Sequence, residues 1–307
     1  MQPVDFKNAY YIKLGRGGEW EESSIQENKI RIGWISWPVE EINQRNWNNL
    51  KQKYRNRFKN DGSATADINA LKTVVESTSD DIWITFYASH LWWCRVGEPR
   101  ILQDEISKYR KVAERWNNKD INDQFLILNQ IPGNISKVQR FQGTICKVKT
   151  IDDLNRLINN RPSETFQSLS EAKNTLIEKV ERGLKKLHWK DFETLVDLVF
   201  RNAGWRRTSI LGETMKFVDM ELEEPITGDL YQVQVKAAAT VDDFKKYAQN
   251  FSAGRFRKFY FVVHSPETRL ANYQNASQDN IELILPSRLA QMVVGFGLTD
   301  WLLKKIR

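Results

Sequence analysis

The chain has 307 residues, a formal net charge of +7 and an isoelectric point of about 9.2. Its 41% hydrophobic and 11% aromatic content exclude a mainly disordered or linker-like chain, because such segments are poor in apolar residues. The basic balance favours a polyanionic partner, since Lys and Arg neutralise phosphates, although a solvated basic surface gives the same charge. At this length two domains are expected.

Cysteine usage and the amino-terminal residues indicate the compartment. Cys94 and Cys146 stand apart without a CxxC spacing, which argues against a zinc site or a disulfide framework. The first residues have neither the basic start nor the apolar run of a signal peptide, and no stretch of 18 apolar residues occurs. We therefore expect a soluble, cytoplasmic protein without a membrane segment.

The first 150 residues predict a strand-rich domain. Short apolar runs separated by Gly-rich turns occupy residues 9–37, and further strand-like segments follow residue 80. One helix is predicted between them, because Ile68, Leu71 and Val74 recur at helical spacing. Residues 151–188 predict a linker helix with Ser170 as its N-cap, and a second domain is expected over residues 189–307.

The second domain opens with an amphipathic helix. Its apolar positions follow the i, i+3, i+4, i+7 pattern, and Gly204 is a natural stop: Phe192, Leu195, Val196 and Val199. Glu193 lies just beside this stripe, where a carboxylate could reach a cleft. An ordinary solvent-facing acid is the alternative interpretation.

Two strands with polar rows follow this helix. In KFVDMELEEP the acids Asp219 and Glu221 share one face, and in YQVQVK the residues Gln232, Gln234 and Lys236 share one face. The turn ITGD between them predicts a hairpin. If the polar rows meet, Asp219 lies near Gln234 and Lys236, a set that could hold Mg²⁺ and hydrolyse a phosphodiester. The alternative is that both rows are solvent faces.

Basic residues interleaved with aromatics occur further along the chain. Lys245, Lys246, Arg255 and Arg257 lie close in sequence to Tyr247 and Phe256, a composition that suits contact with a nucleic-acid backbone. A solvated helix followed by a buried strand explains the same residues.

Tryptophan is concentrated in the first domain, where eight of the 11 occur. Trp34 and Trp37 flank a short step before Pro38, while Trp93 and its neighbour Trp92 must point to opposite faces of an extended segment. Trp34, Trp37 and Trp93 are candidates for lining a pocket. A tryptophan-rich core is the alternative, since large aromatics dominate packing.

The second domain resembles the Mrr-like branch of the PD-(D/E)XK nuclease superfamily. The resemblance covers roughly residues 185–290 and is carried by the FExLV helix, the Asp and the QxK strand: Phe192, Glu193, Leu195, Val196, Gly204, Asp219, Gln234, Val235 and Lys236. It implies Asp219 and Gln234 as metal ligands for Mg²⁺, Lys236 as the catalytic lysine and Glu193 as an accessory acid.

Two departures from that family pattern affect the ligand set. TMKFVDMEL replaces a Gly-rich approach to the Asp, and the D/E position holds glutamine, which carries no negative charge. Glu221 or Glu223 could therefore supply a second carboxylate.

The first domain is similar to PUA-like domains of the EVE kind, which are small β-barrel modules that read modified bases. The resemblance spans about residues 8–149 and is carried by the YYIKLGRGGEW, LWWCRVGEP and FQGTICKV segments. It implies an aromatic cage, formed by Trp34, Trp37 and Trp93, that receives a base extruded from the duplex.

Together these resemblances imply an α+β and α/β chain: an amino-terminal PUA-like β-barrel, a helical linker and a carboxy-terminal restriction-endonuclease-like α/β domain with a central mixed sheet. The implied function is a modification-dependent restriction endonuclease of bacterial anti-phage defence that cuts DNA with Mg²⁺, with a homodimer expected for double-strand cleavage. An RNA-directed nuclease and a non-catalytic nucleic-acid-binding protein are the alternatives.

Overall fold

The computed structural model describes residues 2–33, 37–53, 61–208, 218–251, 254–273 and 280–307. The chain divides into two compact units, residues 1–163 and residues 164–307. Within the described ranges, no helix is both long and apolar enough to cross a membrane.

The first unit contains a six-stranded sheet. Its strands are β1 (Asn8–Ile12), β2 (Lys29–Ile32), β3 (Asp81–Tyr87), β4 (His90–Gln103), β5 (Lys108–Val112) and β6 (Ile145–Lys147). Their spatial order is β2-β5-β4-β3-β1-β6. β1 and β3 pair in parallel, and the other neighbours pair antiparallel.

The β-barrel that the sequence resemblance implies for this unit is not what the described strands form. β4 pairs with β3 through its first part and with β5 through its end, with a register shift between Val96 and Ile101 that bends the sheet. β2 and β6 remain its two edges, and β6, which has three residues, pairs with β1 alone. The described strands therefore make an open sheet.

Helices cover both faces of this sheet. They are α1 (Glu21–Gln26), α2 (Val39–Asn43), α3 (Trp47–Lys53), α4 (Asp61–Glu76), α5 (Gly133–Ser136) and α6 (Ile151–Ile158), with 3-10 turns at Arg16–Gly18, Leu128–Gln130 and Lys137–Arg140. The predicted apolar stripe of α4 is buried against Trp83 and Cys94, and Leu154 of α6 is buried on the opposite face with Ile84. Alternating residues of β3 thus serve two separate cores.

A buried arginine ties α4 to the bent strand β4. Arg110 is 1% exposed, and its guanidinium donates to the carbonyl oxygens of Val74 at 2.6 Å, Ser77 at 2.9 Å, Gly97 at 2.5 Å and Glu98 at 3.0 Å. The last carbonyls of a helix lack partners within the helix, so this side chain satisfies groups that would otherwise be buried unpaired.

The segment predicted as one linker helix forms two. α6 belongs to the first unit, and α7 (Glu164–Leu184) belongs to the second. α7 begins six residues before Ser170, which therefore lies within the helix rather than at its N-cap. Ser163, a favourable N-cap residue, directly precedes the first helical residue.

The second unit is built on a five-stranded mixed sheet. Its strands are β7 (Arg206–Arg207), β8 (Met220–Glu223), β9 (Leu230–Ala239), β10 (Lys258–Pro266) and β11 (Ile281–Ile284). The spatial order is β11-β10-β9-β8-β7. β9, β10 and β11 run parallel, whereas β8 and β7 pair antiparallel with their neighbours, as expected for a central mixed sheet.

Helices lie on both faces of this second sheet. The remaining ones are α8 (Trp189–Asn202), α9 (Val241–Gln249), α10 (Thr268–Ala271), α11 (Pro286–Gly295) and α12 (Thr299–Lys305). The predicted stripe of α8 is buried with Val233 and Val235 of β9, together with α7 and α11. On the other face, α9 and α10 bury Phe244 and Leu270 against Phe261. α8 ends before Gly204, whose φ of 91° suits the turn that leaves the helix.

We predict that Arg110→Met lowers the free energy of unfolding of the first unit by about 3 kcal/mol, because the carbonyls it satisfies become buried without partners. Urea unfolding followed by tryptophan fluorescence measures this, since eight of the 11 tryptophans lie in residues 1–163. Arg100→Met is the matched control, because Arg100 is exposed, and it should change stability little. Equal losses in the two variants would contradict the role assigned to Arg110.

Candidate active site

The hairpin of β8 and β9 brings Asp219 beside Gln234, as the sequence pattern predicts. Met220 pairs with Val233, and the backbone N–H of Asp219 donates to the carbonyl of Val233 at 3.1 Å. The Oδ2 atom of Asp219 accepts a hydrogen bond from the backbone N–H of Val235 at 2.6 Å and another from Nε2 of Gln234. The carboxylate is therefore fixed by two donors from one strand.

Gln234 combines burial with a defined orientation. Its side chain is only 2% exposed, and its amide nitrogen is engaged by Asp219. The oxygen Oε1 is therefore the atom with which this residue could ligate a cation. On the neighbouring strand Gln234 is in register with Phe261, which belongs to the core beneath α9, so Gln234 and Lys236 lie on the α9 face of the sheet.

Burial raises the pKa of Asp219 above its ordinary value. The hydrogen bond from Val235, the charge of Lys236, the hydrogen bond from Gln234 and the charge of Arg207 all act in the opposite direction without cancelling it. The site thus holds a carboxylate whose charged form is poorly solvated. Such a group gains from an added cation.

Glu193 acts on the same site from α8. It is half-buried, and its pKa is raised by burial first and by the negative charge of Asp219 second. The positive charges of Arg207, Lys236 and Lys190 partly offset this rise. Glu193 therefore shares the electrostatic field of the predicted cluster, even though it belongs to a different element.

Lys236 completes the predicted set on β9. It is half-buried, and its ammonium lies 5.0 Å from the ring centre of Tyr247 on α9. Burial lowers the pKa of Lys236, but the interaction with Tyr247 and the charges of Asp219 and Asp243 outweigh it, so the pKa is raised. Lys236 is therefore a cation at neutral pH.

Sequence reasoning missed Arg207 and Asp197. Arg207 donates to the backbone carbonyl of Asp219 at 3.0 Å and lies 3.7 Å from the carboxylate of Asp197, which also pairs with Arg201 at 2.8 Å. Asp197 is one helical turn after Glu193 and is 7% exposed. The two consecutive arginines after Gly204 and Trp205 were the sequence feature that could have indicated Arg207. Its place beside the site, however, depends on the pairing of the two-residue strand β7 with β8, which the local sequence does not reveal.

The donor set fits a divalent cation that has few protein ligands. Among the described residues, no three His, Cys, Asp or Glu side chains cluster as a metal site. Asp219 and Gln234 nevertheless present oxygens from adjacent strands, and Mg²⁺ is commonly held by one or two carboxylates together with water and substrate phosphate. Glu221, two residues along β8, lies 3.8 Å from Arg255, and Glu223 is in register with Arg206.

The predicted backbone-binding residues occupy α9 and the segment before β10. Lys245 and Lys246 are exposed on α9. Arg255 is exposed and lies near Glu221, whereas Arg257 forms an ion pair with Asp229 at 2.6 Å. Arg257 is thus partly committed to the β8–β9 turn, while Lys245 and Lys246 remain at the surface.

Two of the three predicted pocket tryptophans, Trp37 and Trp93, lie apart in the structure. Trp34 lies outside them. Trp37 is 3% exposed within the core beneath α4, whereas Trp93 is 9% exposed within the core on the opposite face and donates its indole N–H to the carbonyl of Lys119 at 2.9 Å. Trp37 and Trp93 therefore pack as core residues on different faces of the sheet.

Two cavities of the first unit lie near the end of α4. The larger has a volume of about 620 Å³ and is lined by Tyr10, Lys72 and Asp81 among others, and the smaller has about 510 Å³ and is lined by Arg45 and Arg110 among others. No tryptophan of the described residues lines either one.

Residues 184–293 match the family model Mrr_cat, described as a restriction endonuclease. The matched range contains all four predicted catalytic residues, so the geometry described above lies within the part of the second unit that matches this family model: Glu193, Asp219, Gln234 and Lys236. Domains of this kind cut DNA and generally use divalent metal ions.

Among solved structures, the chain is similar to the MspJI restriction endonuclease in complex with a 27-mer oligonucleotide, at 11% sequence identity and a TM-score of 0.28. The alignment covers 81% of this chain and 70% of that one, and a TM-score this low lies below that of a shared fold. No curated protein sequence matches the chain significantly.

We predict that Asp219→Asn stabilises the metal-free protein at pH 7 by about 1 kcal/mol, because active-site groups commonly lower the stability of the folded state by such an amount. Because the folded state raises the pKa of Asp219, it binds the proton more tightly than the unfolded chain, so stability falls as pH rises through the raised pKa. The gain should vanish below pH 3.8, the ordinary value, where both states are protonated.

Urea unfolding at several pH values, followed by circular dichroism, measures the effect of Asp219→Asn. Glu171→Gln on the exposed surface of α7 is the control and should leave stability unchanged. A variant less stable than the wild type at pH 7 would show that the hydrogen bonds to the carboxylate outweigh its burial.

Proposed function

We propose that this protein is a restriction endonuclease that cuts DNA carrying a modified base. The observation that carries the proposal is the contact of Asp219 with Gln234, inside the range that matches the family model. Lys236 lies two residues after Gln234 on the same strand. A carboxylate and an amide oxygen beside a lysine form a set suited to phosphodiester hydrolysis.

A Mg²⁺ ion held by Asp219 and Gln234 would lower the pKa of a bound water and stabilise charge on the phosphate. The raised pKa of Asp219 supports this assignment, because an added cation compensates the buried charge. Lys236 places its ammonium where it can contact a phosphate oxygen or orient the attacking water. Glu193, whose pKa is raised, is suited to exchange a proton with that water.

The backbone of the DNA would run along the basic residues of the second unit. Lys245 and Lys246 are exposed on α9, the helix that faces Lys236, and Arg255 is exposed before β10. Arg257 contributes through its guanidinium while paired with Asp229. Phosphate contacts of this kind give affinity without sequence preference and set the position of the strand.

The first unit would supply recognition of the modified base. Its resemblance to EVE-type modules supports the assignment, although its described sheet is open. With Trp37 and Trp93 buried in separate cores, a base that leaves the duplex needs another pocket, and the cavity beside Tyr10 is large enough for a nucleobase. Trp34 is the remaining candidate of the predicted cage. We further propose that the protein acts in the cytoplasm as a homodimer, in bacterial defence.

Cleavage of DNA tests the nuclease assignment. With Mg²⁺, the wild-type chain should cut DNA that carries one cytosine or adenine modification, and removing the metal with EDTA should stop the reaction. Lys236→Ala should lower the cleavage rate by about 10³-fold, because the cation beside the phosphate is lost. Lys304→Ala, an exposed lysine of α12, is the control and should keep the wild-type rate. Cleavage of RNA alone would replace DNA as the substrate, and no cleavage of either would leave a binding protein.

Recognition of the base is tested by binding without cleavage. The full-length Asp219→Asn protein should bind modified DNA at least about fivefold more tightly than the same unmodified sequence, since one base-edge recognition contributes about 1 to 3 kcal/mol. Fluorescence anisotropy at fixed salt measures both affinities. Equal dissociation constants for the two DNAs would refute the reader and leave the nuclease assignment standing.

A further inference from the structure

Tyr247 touches the proposed catalytic lysine from the helix that follows its strand. The ammonium of Lys236 lies 5.0 Å from the centre of the Tyr247 ring, within the range of a cation–π interaction. The quadrupole of the ring therefore attracts this cation. Sequence reasoning treated Tyr247 only as an aromatic among basic residues.

The ring of Tyr247 is itself held in place. It packs against the core beneath α9, with its ring centre 5.7 Å from that of Phe261. The start of α9 is fixed by a capping box, in which Thr240 Oγ1 accepts from the backbone of Asp243 at 3.1 Å and the Asp243 carboxylate accepts from the backbone of Thr240 at 2.9 Å. Because β9 ends at residue 239, this tight connection sets where Tyr247 meets Lys236.

The acids near Lys236 are engaged elsewhere. Oδ2 of Asp219 holds Gln234 and Val235, and the carboxylate of Asp243 holds Thr240. Their charges act on Lys236 through space, but a distant charge does not fix a direction. A lysine side chain has four flexible carbons and loses considerable rotamer entropy when its ammonium is held at one point. A rigid aromatic partner supplies that restraint.

We propose that Tyr247 is a positioning residue, which holds the ammonium of Lys236 at the place where the scissile phosphate binds. The inference rests on the proposed nuclease function. An ammonium has three N–H donors, so the contact with the ring leaves donors for a phosphate oxygen and the attacking water. Tyr247 acts through Lys236 and has no contact of its own with the reacting atoms.

Kinetics with two replacements separate the hydroxyl from the ring. Tyr247→Leu, which removes the ring, should lower the single-turnover cleavage rate about tenfold, and Tyr247→Phe, which keeps the ring, should lower it less, since small misplacements of a catalytic group are costly. The dissociation constant for DNA should stay within about twofold. Tyr109→Phe is the matched control, because its ring lies 4.4 Å from the ammonium of Lys29 in the first unit, and it should cut at the wild-type rate.

A double substitution tests whether Tyr247 acts through Lys236. On a Lys236→Arg background, Tyr247→Leu should change the remaining rate by less than about twofold, because residues that act as one unit are not additive. A full tenfold loss on that background would overturn the inference. Wild-type rates in both Tyr247 variants would also overturn it while leaving the proposed function intact.

The contact can be measured without catalysis. In the full-length protein labelled with ¹³C at the lysine ε-methylene and free of DNA, the Lys236 signal is identified by its absence from Lys236→Arg. Removing the ring in Tyr247→Leu should move that signal and leave the signals of distant lysines in place. An unmoved signal overturns the inference even if the wild type cuts DNA, whereas a wild type that cuts nothing refutes the proposed function instead.

Discussion

One carboxylate oxygen joins the two strands of the candidate site. Oδ2 of Asp219 receives the backbone N–H of Val235 and the amide of Gln234, so the same atom secures the β8–β9 register and orients a neighbouring functional group. A slip of one residue would turn every side chain of β9 to the opposite face. Gln234 and Lys236 would then point into the core beneath α8, and the alternating apolar residues Val233 and Val235 would face α9. The pairing of β8 with β9 and the arrangement of the candidate catalytic residues therefore both depend on the hydrogen bonds to Oδ2 of Asp219.

Glutamine at position 234 gives the site a property that a second acid would not. A carboxylate there would face Asp219 within hydrogen-bonding distance, and two like charges so close raise the pKa of one of them strongly. The amide instead donates to Asp219 and keeps an oxygen for a cation. Glutamine at this position thus removes one negative charge from the site, and its amide fixes the carboxylate of Asp219 by a hydrogen bond.

Regular patterns explain which parts of this site could be predicted from the sequence. The period-2 alternation of β9 and the helical stripe of α8 predicted which residues face the cores, because each depends only on local geometry. The meeting of Asp219 with Gln234 followed from the short ITGD turn. Contacts between elements distant in sequence were missed. Arg207 joins the site through a two-residue strand, which is too short to leave a periodic signal.

The first unit shows why a composition signal was less informative. A concentration of tryptophan is compatible with both a pocket and a core, and burial distinguishes the two. The indole N–H of Trp93 donates to the backbone carbonyl of Lys119, and Trp37 packs under α4 on the other face of the sheet. The closing of a barrel depends on whether β2 and β6 meet, and no local property of either segment records this.

The balance of charge around Asp219 has a consequence for the order in which the site assembles. Glu193 and Asp219 are matched by Lys236 and Arg207, whose charges act on both acids. A nuclease centre built from several uncompensated acids repels the phosphate backbone until metal ions arrive. Here the centre is close to neutral before any cation enters, so a polyanion can approach first and bring its own oxygen to the ion. A phosphate oxygen of the DNA would then be one of the metal ligands. The cation would bind weakly to the protein alone, because its ligand set is complete only when the DNA is bound.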